Sequence, residues 1–204
     1  MNMDNLLKYR STIKSRPFLY KETKKMAALL LQGLNEIEIK EQVVKENIFQ
    51  VNSEARKREI SSVIIARLKP LDDLVLKKIV YGDMDTSKLL VIYTIIKSDR
   101  LFFEFMREVF SVKLSTLDAM LTDLDFTLFF ENKKQQNDTV GSWKTYTFYK
   151  LEQVYTRILG EAGLLRKKDK QREIVYGIMD IDVRDHLIGI GDRVYIELLV
   201  GEVK

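Results

Sequence analysis

"SWKTYTFYKLEQVYTRILGEAGLLRKKDKQREIVYGIM", residues 142–179, changes its hydrophobic period at Gly163. From near Trp143 to Ala162 the apolar residues Phe148, Leu151, Val154, Tyr155, Ile158, Leu159 and Ala162 recur at helical spacing. That stripe predicts one amphipathic helix, with Gly163 as its C-cap. Beyond the glycine, residues 164–178 read as two short strands around a basic turn, with Ile174, Val175 and Tyr176 favouring the returning strand.

The face opposite the stripe carries Tyr146, Tyr149, Gln153 and Arg157, with Lys150 at its edge. Side chains of these types donate to phosphates or read base edges. The turn adds Arg166, Lys167, Lys168, Lys170 and Arg172, a local charge of +4 over 166–172 once Asp169 is counted. A helix feeding a basic hairpin is the layout of a winged-helix module, in which the helix enters the major groove and the wing follows the backbone. Packing of the tyrosines on a bundle, with the lysines merely solvated, is the alternative reading.

Upstream, the chain reads as a helical bundle. Pro17 opens a helix that Gly33 closes, and Asn35 with Glu38 forms a capping box for the next. A third helix runs from about Ser53 to Pro70, and "LDDLVLKKIVY" ends at Gly82. "TSKLLVIYTIIK", 86–97, is apolar nearly all round and reads as the central buried helix. "DRLFFEFMREVFSV" and "STLDAMLTDLDFTLFF" read as two more helices. The polar stretch "ENKKQQNDTVGS", 131–142, is the natural boundary. The expected organisation is an N-terminal helical bundle over 1–131, a linker over 132–142 and a winged-helix-like C-terminal module over 143–204. The module ends in two short helices split at Gly191.

Composition narrows the chemistry. The 204 residues are 46% hydrophobic and 31% charged, with two prolines and no cysteine. That fits an ordered, helix-rich protein without disulfides, thiolate nucleophiles or cysteine-based metal sites. The N-terminus lacks an apolar h-region, and "LLVIYTII", 89–96, is far short of a membrane span. No membrane insertion is expected.

The net charge of +4 is uneven: residues 1–25 hold seven basic and two acidic side chains, whereas 97–131 hold four basic and seven acidic. Clustered positive charge favours a polyanion. Two further basic candidates follow, Lys14 and Arg16 in the N-terminal arm, and Arg56, Lys57 and Arg58 in one helical first turn. Cations at a helix's positive end are mildly unfavourable, which invites an external anion.

Catalytic signatures are weak. His186, beside Asp185, has no neighbouring serine and reads as a surface or helix-packing residue. "GIGDR" lacks the third glycine and preceding strand of a dinucleotide fingerprint. The pairs Asp83/Asp85, Asp123/Asp125 and Asp180/Asp182 raise a magnesium nuclease, but Asp83 and Asp180 sit at helix starts. Asp123 and Asp125 point to different sides of one helix. No cofactor and no enzymatic activity are expected.

Four blocks in order carry a family resemblance: "KMAALLLQGLNEIEIKEQVVKENIFQVNSEARKREISSVIIARLKPLD", "SDRLFFEFMREVF", "SWKTYTFYKLEQVYTRILGEAGLL" and "GDRVYIELLVGE". Together they resemble the BrxA family of BREX phage-resistance systems. The resemblance implies a non-enzymatic, cytoplasmic, mainly helical protein that binds double-stranded DNA. It would work with a BREX methyltransferase, ATPase and phosphatase-like protein. Its bundle is similar to that of the antitermination factor NusB. The competing expectation is an adaptor that docks basic BREX subunits on the acidic middle and never touches nucleic acid.

Overall fold

The computed structural model describes residues 7–116, 119–168 and 171–202. The protein is mainly helical, with one short antiparallel hairpin. A 3-10 turn, Thr12–Ser15, precedes α1 (Tyr20–Leu31), α2 (Glu36–Lys45), α3 (Glu54–Leu68), α4 (Asp73–Tyr81) and α5 (Met84–Ser98). The Asn35–Glu38 capping box opens α2, and Ser53, Asp72 and Asp83 cap α3, α4 and α5. Each cap satisfies an orphan N–H at a helix start.

The first helix starts three residues later than Pro17 suggested. Phe18 is fully buried, and Leu19 takes a left-handed φ of 55° to turn the chain into α1. That turn stacks Phe18 on Tyr20, with ring centroids 5.9 Å apart.

α5 lies at the centre, with every residue from Leu89 to Ile96 buried. Its polar atoms are met inside: the Tyr93 hydroxyl donates to Asp192, which also accepts from Lys97 at 2.6 Å. α6 (Arg100–Phe105) continues through a π turn, Met106–Phe110, into α7 (Ser111–Ser115). The aromatic rings of Phe102, Phe105, Phe126, Phe130 and Tyr155 then pack together as one cluster.

Residues 119–122 do not extend a helix as the apolar spacing suggested. Met120 instead forms an antiparallel bridge with Glu173. The Leu121 N–H donates to the Arg172 carbonyl at 2.8 Å, and the Ile174 N–H donates to the Ala119 carbonyl at 2.7 Å. The helix restarts only after Thr122, whose capping box with Asp125 opens α8 (Asp123–Gln136).

The polar stretch 132–142 is itself largely helical, forming the end of α8 and a short α9 (Asp138–Gly141) capped by Asn137. Val140 is buried there, and the Lys134 ammonium sits 4.5 Å from the Phe148 ring centroid. One hydrophobic cluster runs without interruption from Ile13 to Leu199, so the core is shared across this stretch.

The expected amphipathic helix is α10 (Thr145–Ala162), and all seven residues of its apolar stripe are buried. It is followed by β1 (Leu165–Lys168) and β2 (Gln171–Ile174), paired Leu165 to Ile174 through Lys168 to Gln171. The returning strand stops at Ile174, short of "VYGIM". The chain then turns to the end of the molecule, where the Gly177 N–H donates to the Leu199 carbonyl at 2.9 Å. A Cβ at 177 would come within 2.6 Å of the Leu89 side chain and 3.1 Å of the Leu199 carbonyl, so any larger residue would push the buried Leu89 aside. α11 (Ile181–Gly189) and α12 (Arg193–Val200) close the fold against α4 and α5.

Candidate nucleic-acid interface

α10 ends in a Schellman arrangement. The Gly163 N–H donates to the Gly160 carbonyl at 3.1 Å, and the Leu164 N–H donates to the Leu159 carbonyl at 2.9 Å. Gly163 takes a φ of 84°, which a side chain would resist. Leu164 is fully buried, and its carbonyl accepts the Val175 N–H at 3.1 Å. Helix and hairpin are therefore joined by one left-handed residue and one buried residue.

The outward side of α10 is a stripe of Tyr146, Tyr149, Gln153 and Arg157, all exposed, with Lys150 half-buried beside them. These side chains organise one another. The Gln153 amide donates to the Tyr149 hydroxyl at 2.8 Å, and its carbonyl accepts from Lys150 at 3.1 Å. The Lys150 ammonium lies 5.3 and 5.5 Å from the Tyr146 and Tyr149 ring centroids. Such cation–π contacts hold a charge in place without neutralising it. Arg157 is paired with Glu161 at 2.6 Å. Lys144, the N-cap residue, is exposed just ahead of the helix.

On the hairpin the candidate cations divide. Arg166 is exposed on β1, opposite Glu173. Lys167 and Lys168 also lie on β1, and Lys170 lies outside the described residues. Arg172 turns inward. It bonds the Leu121 carbonyl at 3.1 Å, pairs with Asp123, and reaches Glu152 at 3.6 Å over the Phe126 ring. Its charge ties the hairpin to α8 and α10. Burial, with Asp123 nearby, pushes the Glu152 carboxyl above its ordinary pKa.

The Arg56–Arg58 cluster has partners within the chain. Arg56 pairs with Glu59 at 2.7 Å and donates to the Ser15 carbonyl at 2.8 Å. The Lys57 ammonium points to the Val44 carbonyl at 3.5 Å, and Arg58 pairs with Glu54 at 2.7 Å. Arg16 shares Glu59 at 3.3 Å, while Lys14 is exposed on the 3-10 turn. That turn packs against α10, so arm and helix adjoin.

The acidic pairs act as caps and counter-ions. Asp180 caps α11 and pairs with Lys78 at 2.6 Å; Asp125 caps α8 and lies 3.1 Å from Lys113. His186 joins α11 to Asp72 at 2.6 Å, a helix-packing contact. Among the described residues, no helix is long and apolar enough to cross a membrane.

Sequence reading missed a buried charge cluster. Glu104, 2% exposed, accepts from Lys133 at 2.9 Å, Arg100 at 2.9 Å and the Tyr9 hydroxyl at 2.8 Å. These donors hold its carboxyl below the ordinary carboxylate pKa despite burial, while burial and Glu104 push the Tyr9 phenol up to about 12. Its members come from three distant segments, so local spacing gave no sign of it.

These features define a class: a mainly helical protein with an all-apolar central helix, whose exposed polar-aromatic helix runs directly into a basic hairpin. The chain belongs to the BrxA family, whose profile matches residues 7–191. It is 54% identical over 194 residues to "BREX protein BrxA" of Bacillus cereus (strain H3081.97), covering 95% of this chain and 97% of that one. A crystal structure of an uncharacterized protein from Magnetospirillum magneticum has the same fold. Its TM-score is 0.81 at 20% identity, over 95% of this chain and 99% of that one.

Proposed function

We propose that this protein is a non-enzymatic, double-stranded-DNA-binding component of a bacterial BREX anti-phage system, acting in the cytoplasm. The observation that carries the reading is the continuity of the α10 stripe with the hairpin. Tyr146, Tyr149, Lys150, Gln153 and Arg157 face outward and lead through Gly163 to Arg166.

The element order supports it. A helical segment (α6–α7), the bridged segment at 119–121, α8, the short α9, α10, β1 and β2 come in an order like that of a winged helix. In that arrangement the long helix enters a groove and the hairpin follows phosphates. The family relationship to a BREX protein supplies the biological setting, and a methyltransferase, an ATPase and a phosphatase-like protein are the proposed partners.

An electrophoretic shift on duplex DNA tests the proposal. Binding should weaken steeply as salt rises, because phosphate contacts release counterions. Reversing Arg166, Lys167, Lys168 and Lys170 together should lower affinity at least roughly tenfold at 0.1 M salt. Unchanged affinity would remove the hairpin from the interface.

One observation favours a second reading, an adaptor. Tyr81 and Ile178 are 77% and 78% exposed, near the exposed Met84 and Ile181 and the acids Asp83, Asp85 and Asp182. The Lys78–Asp180 pair and the Asp180–Thr86 hydrogen bond hold the two segments together. Stable capture of a basic BREX subunit, without duplex binding at low salt, would favour this reading.

A further inference from the structure

The N-terminal arm roofs a cleft of about 270 Å³ over α3 and the α5–α6 junction. Four cations line it, Lys8, Arg10, Arg16 and Arg67, against two acids, Glu59 and Asp99. Glu59 is already held by Arg16 and Arg56. Lys8 and Arg10 stand exposed at the rim, and Arg67 lies at the bottom, 5% exposed.

The arm is fixed in place by Tyr9 on Glu104, by the Arg100 guanidinium 4.2 Å from the Tyr9 ring centroid, and by buried Ile13 and Phe18. The cleft is therefore part of the folded structure.

Arg67 is the informative residue. Its hydrogen bonds go to the Arg16 carbonyl at 3.2 Å and the Pro17 carbonyl at 3.5 Å, which use a fraction of the five donors on a guanidinium. Burial lowers its pKa to about 10, so it stays charged at neutral pH. The acid facing Arg67 is Asp99, which is still ionised at neutral pH with its carboxyl pushed up to about 6 by burial. It also caps Phe102 at 2.9 Å and is shared with Arg10, and cations outnumber acids in the cleft. The guanidinium keeps donors to spare in a cleft where four cations face two acids, and phosphate oxygens fit its planar fork.

We propose that this cleft binds a small phosphorylated ligand, a phosphate monoester on a body of about nucleoside size. Arg67 meets the phosphate from below, Lys8 and Arg10 close on it from the rim, and Ile13 and Val63 form the apolar wall for the remainder. This pocket is separate from the α10–hairpin stripe.

Isothermal titration of the full chain with AMP, inorganic phosphate and adenosine tests it. AMP should bind, phosphate should compete with it, and adenosine should not. The Lys8→Ala/Arg10→Ala variant, altered only at the exposed rim, should lose at least roughly tenfold in AMP affinity with its melting temperature unchanged. Arg67→Lys should also weaken AMP, as a point charge cannot replace the fork. Failure of AMP and phosphate to bind at about 10 mM, a regime weaker than about −3 kcal/mol, would overturn the proposal. So would equal AMP affinity in the rim variant. Loss of duplex binding in the rim variant, with AMP inert on the wild type, would overturn it in favour of an arm that tracks DNA.

Discussion

At the start of α3, Arg58 is held by Glu54 and Arg56 by Glu59, each at 2.7 Å, and Arg56 also donates to the carbonyl of Ser15. On α10, by contrast, Lys150 meets, among the described residues, a neutral amide and two tyrosine rings, although Arg157 further along is paired with Glu161. Both stretches are basic in sequence. Charge used inside the molecule holds elements together, whereas charge braced by neutral partners keeps its field available to an outside anion. The hairpin contains both kinds, Arg172 turned in and Arg166 turned out.

The contrast is tested most severely where a cation is fully internal. Lys133 is 4% exposed and bridges Glu104 and Glu108 at 2.9 and 2.7 Å. Lys133→Met leaves Glu104 short of a counter-charge in the interior and should cost about 3 kcal/mol in urea unfolding. A loss below about 0.5 kcal/mol would mean that buried charge is not structural here.

Next in size is Asp99. Its folded pKa of about 6 lies above the ordinary carboxylate value of 3.8. Between those values the folded state keeps a proton that the unfolded chain releases, so stability falls as pH rises through the window. About two units amount to roughly 3 kcal/mol at most. Asp99→Asn keeps the cap acceptor and should gain on the wild type as pH rises from about 4 to 7. A parallel pair of stability curves would refute it.

A smaller effect is expected for Arg172→Ala, about 1–2 kcal/mol, because the Leu121 carbonyl and Asp123 lose their partner. It should loosen the hairpin, visible as faster amide exchange at Ile174. At the bottom of the series, Arg58→Ala removes an exposed pair and should change unfolding by under about 0.5 kcal/mol. If it abolished DNA binding, the division between inward and outward cations would be wrong.

Local signals in the sequence were enough for elements whose cause is local. The Asn35–Glu38 box, the apolar run around Leu89–Ile96, the α10 stripe and the Gly163 cap all lie within a few residues of their own effect. Residues 119–121 do not: they are held extended by Arg172 and Ile174, some fifty positions away. A helical period in "STLDAMLTDL" could not compete with that pairing. The same limit hid the inward turn of Arg172 and the Glu104 cluster, since a charge's partner is set by packing rather than spacing. Of the interface candidates, the exposed ones on α10 were legible because the apolar stripe fixes which face is left outside.

The junction at Gly163–Leu164 has a mechanical consequence. Leu164 is locked by the Leu159 carbonyl on one side and Val175 on the other, leaving little room for a hinge between α10 and β1. Torque applied to the hairpin is passed to the helix, and from there to α5. Under the proposed function, a duplex would meet a helix and hairpin whose spacing is set before contact. The work of fitting would then fall on the DNA, whose bending stiffness would become part of the recognition.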